Sequence, residues 1–401
     1  MGYAGNAEPS YIVPTAISSK VDLGSDDFVR SKAGLHDLEF AIGDEATARA
    51  AAFGLKYPIR HGLIDNWNDM ERIWQRCFFR YLRCDPEEHH VLLTEPPLNP
   101  PENREQAAEI MFETFGVPGM YIAVQAVLAL AASWPFRAKE EDRTLTGTVI
   151  DSGDGVTHVI PISDGYVLGS CIRHVPLAGL DITKFIHQQL RERGEPVPPE
   201  IALDVAKAIK EQHSYVCRDL ADEFRRYDAK PDKYISKMTG VHPRTKKPWE
   251  VDIGYEKFLA GEMFFNPEIY DDKHPTPLPT LVDRAIQASP IDAKRSLYNN
   301  VVLSGGSTLM KNFGKRLQQD LRGIVKDRFD ANRRRLAAVG SNFVGSEVKV
   351  KVVTHGMQRF AVFFGGSMMA STEQFPRYCH TKAQYEEEGS RIARHNPVFG
   401  F

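Results

Sequence analysis

Residues 148–162, T-V-I-D-S-G-D-G-V-T-H-V-I-P-I, constrain this chain more than any other stretch. An apolar strand delivers Asp151 into a turn made of Gly153, Asp154 and Gly155, and a second strand leaves. The two glycines let the backbone turn tightly and approach a bound group closely. Exposed N–H groups in such a turn form a concavity suited to phosphate. Asp151 would repel phosphate; its chemistry suits orienting a magnesium ion through metal-bound water. Acidic glycine turns also close plain hairpins, so the motif alone leaves both readings open.

The surrounding chain decides what such a turn can serve. At 401 residues, with 42% hydrophobic and 26% charged residues, it has the make-up of a soluble globular protein with two or more cores. A net charge of -3 gives no electrostatic case for nucleic acid or an anionic membrane. The longest apolar run, Met120 to Trp134, is too short for a membrane span and carries Gln125, so it is expected as a buried helix. Neither a secretory signal nor a myristoylation pattern is visible after Met1. The five cysteines are scattered, odd in number and form no C-x-x-C pair, which fits reduced thiols in the cytosol and no metal centre.

Apolar residues recur at helical steps from Asp65 to Leu82, with Asp65 or Asn66 as the cap. H-H-V-L-L-T-E reads as a strand and Asn103 to Phe115 as a helix. Residues 20–50 read as a mobile or contact loop, and the basic, turn-rich stretch from Pro231 to Pro248 as a surface loop. The basic run from Arg322 to Arg335 fits a solvated face. Strands thus alternate with helices, and glycine turns follow two strand ends. That is the α/β pattern in which ligands sit beyond the carboxyl ends of strands.

Three further segments bear on the opening turn. V-L-S-G-G-S-T places Gly305 and Gly306 between a strand and a helix, as a tight connection or a second ligand turn. Lys210 and Glu211 end a helix, as an exposed charge pair or part of a site. Gln125 lies in an apolar segment, as a satisfied buried amide or a functional group.

Taken together and in this order, these segments resemble the actin family over essentially the whole chain. The resemblance is carried by P-I-R-H-G-L-I-D-N-W-N-D-M-E-R-I-W, L-L-T-E-P-P-L-N-P-x-x-N-R-E, M-F-E-T-F-G-V-P-G-M-Y-I-A-V-Q-A-V-L-A-L, D-S-G-D-G-V-T-H, V-L-S-G-G-S-T and F-G-G-S-M-M-A-S. Other features resemble an actin-related protein of the filament-nucleating complex and not conventional actin. They are A-A-S-W-P-F-R-A-K-E-E-D-R-T-L-T-G, the basic expansion around 322–346, T-H-G-M-Q-R-F and the ending R-H-N-P-V-F-G-F.

The resemblance implies an α/β, actin-like ATPase fold with two related α/β domains around a nucleotide cleft. Residues 1–134 would form the first domain, with a small outer part at about 20–56. Residues 135–355 would form the second, and 356–401 would return to the first. It further implies ATP or ADP with magnesium as cofactors. Asp151 would hold hydrated Mg²⁺, and Gly153, Asp154, Gly155 and Val156 would clasp the β- and γ-phosphates. Gln125 and His158 would position the attacking water if hydrolysis occurs. Gly179, Lys210, Glu211, Gly305, Gly306, Met310 and Arg359 would surround the nucleotide, Arg359 lying flat on the adenine.

The implied partners are a second actin-related protein, the other subunits of the nucleating complex, an actin filament and nucleation-promoting factors. Turnover would be slow and secondary to assembly in the actin-rich cytoplasm, at the cortex or in cell projections. Two departures qualify this. The family carries an earlier phosphate loop, D-x-G-x-G-x-x-K, and the sequence begins just after where that lysine would stand, about twenty residues short. A first strand and its phosphate loop are therefore expected to be missing. Ala131 also stands where actin has a tyrosine in its partner groove. A structural subunit with impaired nucleotide binding, and a metabolic or chaperone ATPase of the same superfold, remain the alternatives. A sugar kinase would need a carboxylate base facing a sugar pocket, and no candidate with that context is visible.

Overall fold

The computed structural model describes residues 1–19, 40–49, 54–60, 62–137, 143–242, 245–271, 273, 275–339 and 347–395. Most of the loop expected at 20–50 lies outside them. The chain forms two compact units, one of residues 1–128 with 362–401 and one of residues 129–361. The chain passes from one to the other twice.

In the first unit, β1 (Ile17–Ser19) lies between β2 (Phe40–Ile42) and β3 (Gly54–Lys56), both antiparallel to it. A short hairpin, β4 (Ile59–Arg60) and β5 (Leu63–Ile64), follows. The helix Trp67–Arg76 starts where the Asn66 side chain accepts from the Asp69 N–H at 3.0 Å, so Asn66 is the cap. A second sheet pairs β6 (Val91–Glu95) in parallel with β7 (Gly119–Val124), and β16 (His380–Thr381) lies antiparallel on β7. Met111, Phe112, Val117 and Met120 form the core beneath it, with Phe112 stacked on Tyr385 at 4.7 Å.

The apolar run from Met120 is not one helix. Residues 119–124 are a strand buried on both faces, and the helix Gln125–Ala131 begins only at Gln125. A strand sealed on both sides carries no polar alternation, so periodicity cannot tell it from a buried helix. The Gly365–Gly366 pair lies in the helix Ala361–Ala370. A Cβ at Gly365 would stand 2.0 Å from the Leu128 carbonyl oxygen, so glycine there is a close-packing requirement.

The second unit is built on one sheet. Its strands are β8 (Gly147–Ser152), β9 (Thr157–Ser163), β10 (Tyr166–Val167), β11 (Arg173–Val175), β14 (Val301–Ser304) and β15 (Val352–Val353), in the order β10-β9-β8-β14-β15 with β11 also on β9. β8, β14 and β15 run parallel, and β9 returns antiparallel to β8. Ile150, Val159, Val301 and Leu303 join Ile182, Ile186, Ile286, Phe313 and Leu317 in its core. Those last five come from the helices Gly179–Glu192, Leu278–Ala288 and Phe313–Ala338.

The stretch expected as a basic loop contains a helical turn, Pro231–Tyr234, and β12 (Ser236–Val241), which pairs antiparallel with β13 (Pro248–Ile253). Lys237, Thr239 and Val241 form the outward face of β12, while Met238 packs toward the core with Trp249 of β13. Among the described residues no helix is long and apolar enough to cross a membrane.

Candidate functional site

β8 and β14 are parallel neighbours, with Asp151 opposite Ser304. Their carboxyl ends therefore lead into the 153–156 turn and the Gly305–Gly306 turn at the same edge of the sheet. That edge is where open α/β sheets place their ligands.

The 153–156 turn is held from behind through its oxygens. The Gly153 carbonyl accepts from the Gly179 N–H at 3.1 Å and from the Ser307 hydroxyl at 2.7 Å. The Asp154 carbonyl accepts from the Leu180 N–H at 2.8 Å, and the Val156 carbonyl from the Gly153 N–H at 3.2 Å. Ser152 and Thr157 close its base, hydroxyl to hydroxyl at 2.7 Å, and Thr157 donates on to the Leu177 carbonyl. The N–H groups of Asp154, Gly155 and Val156 find no acceptor among the described residues. A turn with three carbonyls engaged and three successive N–H groups free is suited to receive an anion.

The glycines divide into two kinds. At Gly305 (φ 89°) a Cβ would lie 2.1 Å from the Ser152 carbonyl oxygen, so the fold itself demands glycine. At Gly153, Gly155 and Gly306 an added Cβ meets nothing within 4 Å, and none has a left-handed φ. Open space in front of free N–H groups is what a phosphate chain would fill.

Lys210 is not an exposed charge. Its ammonium donates to the Gly179 carbonyl at 2.8 Å and lies 3.8 Å from the Asp154 carboxylate, joining the helix Ala202–His213 to the turn. Burial lowers its pKa, against the opposing pull of Asp154. Glu211 is exposed on the same helix. Met310 is buried in the core, and Arg359 is exposed with its guanidinium 5.3 Å from the Phe360 ring centre.

Burial raises the pKa of Asp151, while a hydrogen bond from Ser304 and the nearby His158 pull it back. Burial lowers that of His158, His174 lowers it further and Asp151 opposes both. A desolvated carboxylate gains from a cation beside it. Among the described residues no group of three or more His, Cys, Asp or Glu could hold a metal. A divalent ion at Asp151 would thus be completed by ligand oxygens and water, which is how magnesium is commonly held.

The second unit therefore brings together Asp151, Gly153, Asp154, Gly155, Val156, His158, Gly179, Lys210, Gly305 and Gly306. Gln125 belongs to the first unit, as the opening residue of the helix after β7. Ser304 and Ser307 escaped the sequence reading although they flank the glycine pair in V-L-S-G-G-S. His174 had no sequence signal, because only strand register sets it against His158.

A family model described as Actin matches residues 1–239 and 202–396. Actin-related protein 3 of Dictyostelium discoideum is 55% identical over 400 residues, covering 100% of this chain and 94% of the relative. The proteins of the same name from Acanthamoeba castellanii and Drosophila melanogaster are 57% and 55% identical over 410 and 407 residues, each covering 100% of this chain and 95% of the relative.

Proposed function

The chain belongs to the actin family, and on that premise we propose that it is an ATP-binding subunit of a complex that nucleates branched actin filaments. Actin-related protein 2 is its counterpart, and the two act as the template for the new filament. The identity to proteins named actin-related protein 3, spread over the whole chain, supports the assembly role. The observation that carries the nucleotide role is the 153–156 turn, whose Gly153, Asp154 and Val156 carbonyls are engaged and whose Asp154, Gly155 and Val156 N–H groups have no acceptor among the described residues.

Under this reading the N–H groups of Gly153 to Val156 face the β- and γ-phosphates, though that of Gly153 is already engaged by Val156. Lys210 holds the turn's shape through Gly179 and brings positive charge beside Asp154. Asp151 faces hydrated Mg²⁺, which supplies charge neutralisation at the phosphates. Glu211, Gly305, Gly306, Met310 and Arg359 line the nucleoside side; buried Met310 acts there by supporting the pocket wall. Gln125 and His158 orient the attacking water, and hydrolysis is slow. Nucleotide serves as a condition for assembly more than as fuel.

The partners are the other subunits of the nucleating complex, an actin filament and nucleation-promoting factors, in the actin-rich cytoplasm. The test is branched-filament assembly by a reconstituted complex with and without this subunit. Branching should require it; undiminished branching without it would refute the proposal.

A further inference from the structure

Four polar residues form one row across four adjacent strands of the second unit. Ser304 of β14 is the register partner of Asp151 in β8, Asp151 of His158 in β9, and His158 of His174 in β11. Register partners on neighbouring strands share a face. At the far end, His174 Nδ1 and His158 Nε2 are 3.1 Å apart, with ring centres 5.0 Å apart and planes at 59°. His174 is exposed and His158 half-buried.

Two imidazole nitrogens at that distance need one N–H and one lone pair between them. Orienting a water for attack requires a lone pair on the nitrogen that meets the water. With Nε2 committed to His174, the remaining nitrogen of His158 is Nδ1. We propose that His174 is a positioning residue: its Nδ1 accepts from His158 Nε2–H, fixing the ring and leaving the Nδ1 lone pair of His158 free. This rests on the water-orienting reading of His158. It makes the hydrogen bond of the other ring nitrogen the determinant of tautomer, the usual arrangement for a working histidine. In this row the strand neighbour of His174 is His158, and that of Asp151 on the same side is also His158, so His174 acts through His158.

The test uses the full chain with ¹⁵N-labelled histidine, without nucleotide, together with single-turnover hydrolysis of Mg-ATP. His174→Leu removes the acceptor on an exposed strand position. His174→Asn restores it, because the amide oxygen can occupy the place of Nδ1. In the parent, His158 should show a single tautomer with the proton on Nε2. His174→Leu should move both ring nitrogen signals toward a tautomer mixture and slow hydrolysis about 2- to 13-fold, the loss of one ordinary hydrogen bond. Its nucleotide affinity should stay within about twofold of the parent, since only orientation is lost. His174→Asn should recover the signals and most of the rate. Unchanged ring signals in His174→Leu, or a parent proton on Nδ1, would overturn the proposal. His158→Ala serves as the separate control: parental hydrolysis in that variant would refute the water-orienting role of His158, while the ring signals still decide what His174 does.

Discussion

Substituting the turn glycines separates a ligand requirement from a folding requirement. At Gly155 an added methyl group meets no protein atom within 4 Å, and the backbone is outside the left-handed region. Gly155→Ala should therefore leave folding intact, or stabilise it by about 0.4–1 kcal/mol through lost freedom in the unfolded chain. Gly153→Ala should behave alike. The methyl group instead stands in open space beside the free N–H groups, where it would compete with a bound phosphate. Losing one charge-assisted hydrogen bond to phosphate costs about 1.5–3 kcal/mol, so the Kd for Mg-ATP should rise about 10- to 150-fold. Gly305→Ala is the contrast. Left-handed strain of about 1–2 kcal/mol adds to a collision with the Ser152 carbonyl at 2.1 Å, and overpacking of that kind costs about 1–3 kcal/mol more. Urea unfolding and competition titration of a fluorescent ATP analogue read the two effects separately. Parental affinity in a fully folded Gly155→Ala chain would refute the argument that the turn is a phosphate receptor.

Further outcomes follow from the same geometry. His355 is 8% exposed, stacks on Phe136 at 5.3 Å, and neither ring nitrogen has a hydrogen-bond partner among the described residues. Burial and the nearby Arg137 push its pKa from 6.5 down to about 4. The unfolded chain thus takes up this proton first: the contribution is full above pH 6.5 and is lost as pH falls toward 4. It amounts to at most about 3 kcal/mol. His355→Leu should remove that part of the pH dependence of urea stability, and an unchanged slope would contradict the assignment. Glu262 is fully buried and bonded to Arg316, Asn266 and Cys217. Glu262→Ala should cost about 3–5 kcal/mol by leaving the Arg316 charge without its buried partner, measured by the same unfolding; a loss below 1 kcal/mol would count against it. Ser307→Ala removes the 2.7 Å bond to the Gly153 carbonyl. It should lower stability by about 1 kcal/mol and weaken Mg-ATP binding several-fold; unchanged affinity would show that Ser307 does not set the turn.

The turn was legible because its chemistry is local: glycines and aspartates at fixed spacing between two apolar runs. The α/β alternation was legible for the same reason. What escaped was set by pairing across distance. Met120 to Val124 carries no polar alternation because both faces of β7 are covered, so strand and helix looked alike. Ser236–Val241 looked like part of a basic loop because Lys237 and Thr239 are on the outward half of a strand whose partner begins only at Pro248. Lys210 looked like an exposed charge until the fold set its ammonium on the Gly179 carbonyl. His174 lies 16 residues from His158 and becomes its neighbour only through the register of β9 and β11.

Branching by the complex should depend on nucleotide held at the 153–156 turn. A nucleating complex reconstituted with the Gly155→Ala chain should assemble with normal subunit stoichiometry. Its branches, counted per length of mother filament at limiting Mg-ATP, should fall well below those of the parental complex and recover as nucleotide is raised. Parental branch density at limiting nucleotide, from a complex whose altered subunit binds Mg-ATP weakly, would contradict it.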